Sequence, residues 1–230
     1  MKLKSIIGYF SKGEIFLWSF SVIVIIISFY FFNSESYLTL AASLIGVTSL
    51  IFNAKGNPVG QFLMVIFSLF YGVISFDFSY YGEMITYLGM TMPMAVFALI
   101  TWMRNPYNGN KAEVQINYIS KKETSFMFII AIFVTAIFYF VLKALNTSNI
   151  ILSTVSVTTS FVAVYLTIKR NPYYAIGYVA NDIVLIFLWI LASIENFKYL
   201  SVVVCFITFI ANDIYGYINW RKIGKKQAGN

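Results

Sequence analysis

The chain has 230 residues, 60% of them hydrophobic and only 11% charged, with a formal net charge of +7 and a mean hydropathy of +0.78. A soluble domain is nearer 45–50% apolar and about 25% charged, so no soluble fold would hide this much apolar surface. There is no His and one Cys, Cys205, which excludes a disulfide framework, a Cys-rich metal site and the commonest general base.

The first apolar run covers 15–32. It is long for a signal-peptide core and no small-residue cleavage site follows it, so it predicts a retained span. Seven further runs follow at 37–54, 58–76, 84–102, 124–142, 150–168, 172–192 and 199–220. Each is near the roughly 20 residues that cross about 30 Å of hydrocarbon.

The cations orient these spans. Fourteen of the sixteen Lys and Arg fall in alternate gaps: Lys2, Lys4 and Lys12; Lys55; Arg104, Lys111, Lys121 and Lys122; Lys169 and Arg170; and Arg221, Lys222, Lys225 and Lys226. Lys and Arg accumulate on the cytoplasmic side, which places both termini in the cytoplasm. Loops 33–36, 77–83 and 192–198 are then external and carry Glu35, Asp77, Glu83 and Glu195. Phe76, Phe78, Tyr80 and Tyr81 have the character of interfacial anchors, as do Trp102 and Trp220 beside their cations. The net positive charge is a topology signal, and no nucleic-acid partner is expected.

The two halves resemble each other. Asn57-Pro58 and Asn171-Pro172 open the third and seventh spans, and Trp102-Met103-Arg104 and Trp220-Arg221-Lys222 close the fourth and eighth. This divides the chain into an extra N-terminal span (1–36), a three-helix repeat (37–103), a cytoplasmic loop with a linker helix (104–148), a second three-helix repeat (149–222) and a cytoplasmic tail (223–230). Three spans reverse the chain direction, so one linker crossing is needed for the second triplet to run parallel to the first. Parallel repeats related by an axis along the membrane normal are a transporter architecture, with substrate held near the midplane.

Several polar residues fall at membrane depth, where an ionisable group costs about 2.5–3.5 kcal/mol on insertion scales. Asp182 follows Asn181, and Asp213 follows Asn212. Tyr178, Asp182, Leu185 and Trp189 form one helical stripe, and Asn212, Tyr215 and Asn219 form a similar one on the last span. Gln61 sits one turn into its span, and Tyr87 and Thr91 are one turn apart, with Pro93 breaking the same helix. Ser43, Thr48, Ser156 and Thr158 read as interhelical hydrogen-bonding groups. Asp182 with Asn181 points to function. Gln61, Tyr87, Trp189 and Asp213 are open between a site and a structural role, Asp213 as a partner for Arg or Lys. No nucleophile–base pair, phosphate loop or metalloprotease motif is present, so no enzyme, cofactor or metal is expected.

The run Asn57-Pro58-Val59-Gly60-Gln61, the stretch Tyr80 to Thr91 and the closing Asn212 to Trp220 resemble PnuC-type vitamin transporters of bacteria, over about residues 37–222. The resemblance implies an all-α membrane protein of eight spans, a 1+3+1+3 arrangement related to the SWEET fold. It implies facilitated diffusion of nicotinamide riboside, with thiamine or riboflavin as the substrates of relatives, made one-way by a cytoplasmic kinase. The implied substrate site comprises Gln61, Tyr87, Tyr178, Asp182, Trp189 and Asn212, to which the stripes add Thr91, Asn181 and Tyr215. Nicotinamide riboside carriers of the family often have Trp and Asn spaced by four on the seventh helix, and Gln near the place of Tyr87. Here Tyr178 and Asp182 hold that spacing. The expected partners are a vitamin, the inner-membrane bilayer, the kinase and possible further copies of the chain. A membrane receptor without a transport cycle is the alternative from another class.

Overall fold

The computed structural model describes residues 8–32, 36–77 and 81–229. Lys2, Lys4, Glu35, Phe78 and Tyr80 lie outside the described residues, as does the side chain of Asp77. Among the described residues, eight helices are long and apolar enough to cross a membrane. They are α1 (Lys12–Phe32), α2 (Tyr37–Ala54), α3 (Pro58–Asp77), α4 (Tyr81–Arg104), α5 (Lys121–Ala144), α6 (Ile150–Ile168), α7 (Tyr174–Glu195) and α8 (Leu200–Ala228).

Local chemistry sets several of the ends. Ser11 and Glu14 form a capping box at α1: Glu14 N donates to Ser11 Oγ at 3.2 Å, and Ser11 N donates to Glu14 Oε2 at 2.6 Å. Ser36 and Ser120 accept the backbone N–H groups of Thr39 and Glu123. Inside α4, residues Thr86–Thr91 form a π turn, with Met92 N–H donating to Tyr87 O. Pro93 explains it. A helical proline has no N–H and its ring presses on the carbonyl four residues back, here that of Gly89. The wider turn relieves that clash and sets where Tyr87 and Thr91 point.

The packing order is compatible with two three-helix repeats. α2 packs on α3 and α3 on α4; α6 packs on α7 and α7 on α8. The triplets meet twice, α4 on α6 and α8 on α2, which closes a six-helix ring. The two additional helices cover the two seams. α1 lies on α2 and α8, and α5 lies on α6 and the first turn of α4. Close approach within each triplet uses small residues, as membrane helices do. A Cβ on Gly177 of α7 would meet Ala163 Cα of α6 at 2.8 Å.

The Asn-Pro landmarks are the same turn built twice. Gly56 (φ 66°) and Arg170 (φ 58°) are both left-handed, and their N–H groups donate to Asn53 O and Thr167 O. Asn57 Oδ1 accepts from Val59 N, and Asn171 Oδ1 accepts from Tyr173 N, each at 3.0 Å. The tryptophans read these turns crosswise. Trp102 Nε1 donates to Thr167 O at 2.9 Å, and Trp220 Nε1 donates to Asn53 O at 2.7 Å. Each repeat's last helix is thereby bonded to the other repeat's first helix, and the two rings meet at 5.2 Å. Both side chains are fully buried. The expectation of interfacial anchors is corrected: these indoles are buried pins between the two helix triplets. Phe76 and Tyr81, in contrast, are exposed and touch edge-on at 5.9 Å.

Two other expectations change, and the long loop shows structure of its own. Glu83, placed in an external loop, is buried in the first turn of α4. The tail expected from 223 is helical to Ala228, where Gln227 Oε1 accepts from Ile116 N. The polar stretch after α4 is ordered. It forms a hairpin of β1 (Pro106–Tyr107) and β2 (Asn110–Val114), turned by left-handed Asn108 and Gly109. The hairpin and the segment after it strap both repeats. Val114 N donates to Gly56 O at 2.9 Å and Asn117 N to Arg170 O at 3.0 Å. Beside it, Lys169 pairs with Glu123 at 2.6 Å, and that hydrogen bond raises the lysine's pKa.

Trp102→Phe or Trp220→Phe keeps a ring but removes the crosswise bond. Each is expected to lower stability by about 1–3 kcal/mol, read as a drop in melting temperature of purified protein. Interfacial anchors would show little change.

Candidate functional site

Inside the ring lies an enclosed cavity of about 30 Å³. Its polar lining is Tyr87 and Thr91 from α4, Ser160 from α6, Tyr178, Asn181 and Asp182 from α7, and Asp213 from α8. The rings of Phe67, Phe206 and Phe209 form the apolar wall. Ligand pockets for small molecules run from about 300 Å³ upward. This one admits a water or two, so the ring has closed on itself and must part to take a vitamin-sized molecule. A second void of about 10 Å³ lies toward the end where α2 begins, between Thr39, Ser43, Tyr71 and Cys205, and Phe67 borders both.

The geometry around the cavity is aromatic and acidic. Tyr87 packs against Tyr71 at 4.3 Å and edge-on to Phe67 at 6.0 Å. Such faces suit a flat cationic ring. Thr91 and Ser160 approach at 3.4 Å across the α4–α6 seam, and Asn181 Oδ1 accepts from Thr159 Oγ1 at 2.9 Å. Asp182 and Asp213 are each 4% exposed, and their carboxyls lie within hydrogen-bonding reach of each other. Asp182 Oδ2 receives no hydrogen bond from any N–H or hydroxyl among the described residues.

Five of the nine residues expected from sequence therefore line the cavity: Tyr87, Thr91, Tyr178, Asn181 and Asp182. The other four are placed elsewhere. Gln61 Nε2 donates to Asn53 Oδ1 at 2.8 Å, within a hydrogen-bonded chain through Ser49 that joins α2 to α3. Trp189 is fully buried nearer the opposite end, edge-on to Tyr71 at 6.1 Å and Tyr199 at 5.5 Å. Asn212 donates to Ser21 Oγ of α1 at 2.9 Å. Tyr215 OH donates to Glu14 Oε1 at 2.8 Å, where Glu14 also pairs with Lys55 at 3.2 Å. The stripe chosen on α8 is the one that α1 covers. One residue along a helix turns the side chain by about 100°, and that step carries Asp213 into the cavity. Its sequence signal, a charge inside an apolar span, was visible; its direction was not. The wall residues Phe67, Phe206 and Phe209 carry no such signal among the chain's 23 phenylalanines.

A family model described as nicotinamide mononucleotide transporter matches residues 36–222. The chain belongs to this family. Its members are membrane transporters and not enzymes. The nicotinamide riboside transporter PnuC of Neisseria mucosa is 28% identical over 203 residues, 86% of this chain and 77% of that protein. The nicotinamide riboside transporter PnuC of Haemophilus influenzae is 23% identical over 211 residues, 91% and 90% of the two chains. A crystal structure of the vitamin B3 transporter PnuC shares the fold, with a TM-score of 0.83 at 24% identity over 95% of this chain and 94% of that one. The matched segment leaves out α1, whose contacts with α2 and α8 are those just described.

Tyr215→Phe removes the phenol that supports Glu14 while leaving the cavity lining intact. It is expected to cost about 1–2 kcal/mol of stability with ligand affinity unchanged. Thermal melting and equilibrium binding on one sample check both. Lost affinity in a fully stable variant would return Tyr215 to the site.

Proposed function

We propose that this transporter carries nicotinamide riboside across a bacterial inner membrane by alternating access. The observation that carries this reading is the closed cavity between the two repeats, where aromatic rings face an acidic pair. The nicotinamide ring of the riboside is a pyridinium cation. Tyr87, Tyr178 and the phenylalanine wall offer it π faces, and Asp182 and Asp213 offer it opposite charge. Thr91 and Asn181 would hydrogen-bond the amide and the sugar hydroxyls.

The repeats then part alternately at either end. At the cationic end this strains the tryptophan pins and the hairpin strap; at the other end it parts the layer of Phe67 and Tyr71. The cationic end is cytoplasmic by the distribution of Lys and Arg, and both termini lie there. Movement is facilitated diffusion, made one-way by a cytoplasmic kinase whose phosphorylated product the site does not accept. The family description names the mononucleotide and the relatives' names the riboside. The acidic pair favours the riboside, because a phosphate adds about two negative charges. Thiamine is a second reading with its own support, since it too is a cationic heteroaromatic and the pair serves it equally. A receptor without a transport cycle would bind the vitamin but not equilibrate it.

Liposomes containing the purified protein are expected to equilibrate labelled nicotinamide riboside and to exclude the mononucleotide. Binding of the mononucleotide as tight as that of the riboside would sink the reading. Asp182→Asn keeps size and hydrogen bonding and is expected to raise the dissociation constant about ten- to hundredfold, corresponding to roughly 1.5–3 kcal/mol. A cysteine at Asn110 in a Cys205→Ala background is expected to label only after permeabilisation, and one at Asn196 from outside. The opposite labelling would reverse the assigned orientation.

A further inference from the structure

We propose that the Asp182–Asp213 pair holds a proton in the empty transporter and releases it when the cationic substrate binds, so that proton and cation compete for one site. This rests on the transport reading above and deepens it.

The argument begins with charge balance. Two carboxyls within hydrogen-bonding reach of each other sit in an enclosed cavity at the centre of the ring. Among the described residues, no Lys or Arg lines that cavity. The groups that face the pair are Tyr87 from α4, Tyr174 and Tyr178 from α7, and Cys205 from α8. From the remaining ring helices, α2 contributes Leu50, α3 contributes Met64 and Phe67, and α6 contributes Ser160. None of these supplies a positive charge. Two bare carboxylates this close repel strongly in a water-poor site, and each unpaired buried ion costs several kcal/mol.

A carboxyl can hydrogen-bond a carboxylate only if one of them carries a proton. Asp182 Oδ2 has no N–H or hydroxyl donor among the described residues, and the carboxyl within reach of Asp182 is that of Asp213. The proton is therefore the counter-ion of the empty site, as in the aspartic-protease dyad, where one proton is shared between two carboxyls. A pyridinium or thiazolium ring seated over the pair takes over that role. The proton leaves to water, both oxygens become acceptors, and total charge is conserved. Cation and proton compete, so lower pH weakens binding and higher pH strengthens it, by about tenfold per unit while one whole proton is displaced.

The test is titration calorimetry of the wild-type protein with nicotinamide riboside, at one pH in two buffers of different ionisation heat, with thiamine as the second probe. The expected result is a heat difference equal to about one proton released per cation bound. Heat that does not change with buffer, in protein that binds, overturns the competition and leaves the transport reading standing. Binding of neither cation overturns both. In Asp213→Asn, proton release is expected to fall below half the wild-type value, and the infrared signal of a protonated carboxyl, lost on ligand addition in the wild type, is expected to show no change. Unaltered proton release and an unaltered infrared signal in Asp213→Asn would assign the proton to another group. If that variant fails to fold, the wild-type calorimetry still decides.

Discussion

The structure depends on one reciprocal contact: an indole from the end of each repeat bonded to a carbonyl in the first helix of the other. Trp102 reaches Thr167 O and Trp220 reaches Asn53 O. Lipid gives helices no hydrophobic reason to prefer one another, so packing and internal hydrogen bonds must hold the ring together. These two bonds act where the left-handed turns at Gly56 and Arg170 bring carbonyls between the two triplets. The turns in turn need the Asn-Pro segments that follow them. The hairpin strap adds a second layer by bonding to those same turns, to Gly56 O from one side and Arg170 O from the other. The cationic end is thus closed by many contacts and the centre by few.

The centre is correspondingly fragile, which is what a carrier requires. The π turn in α4 widens the helix where Tyr87 and Thr91 face the cavity. Thr91 and Ser160 meet only at the limit of hydrogen bonding. Among the described residues, no Lys or Arg lines the cavity that holds the acidic pair. Outside the ring, α1 and α5 cover the two seams in equivalent places. α1 does so with a polar network of Trp18, Ser21 and Glu14 that holds α2 and α8 together. α5 offers mostly aliphatic and aromatic surface, and its polar contacts, Thr135 with Thr158 at 2.7 Å and Glu123 with Lys169 at 2.6 Å, both go to the α6 side of its seam. The seam under α1 is therefore the firmer of the two, and parting of the repeats has less polar contact to break at the α4–α6 seam.

What the sequence determined by itself follows from periodic and compositional physics. Eight apolar runs defined the class and the number of spans, because a bilayer admits little except helices of fixed length, and the Asn-Pro and Trp landmarks suggested the repeat. The charges at positions 182 and 213 were legible for the same reason: they are costly where they stand. The tertiary structure decided direction and partnership. Asn212 and Tyr215 turned toward α1 and Asp213 toward the cavity, which no pattern on α8 could tell while the place of α1 was unknown. Gln61 went to Asn53 because the turn at Gly56 folds α3 back on α2. Trp102 and Trp220 are buried between the two triplets, because the carbonyl each one needs belongs to the other half of the chain. Distant hydrogen-bond partners, Ser21 for Asn212, Glu14 for Tyr215 and Asn53 for Trp220, leave no periodic trace in the sequence, and they decided which side chains turn away from the cavity.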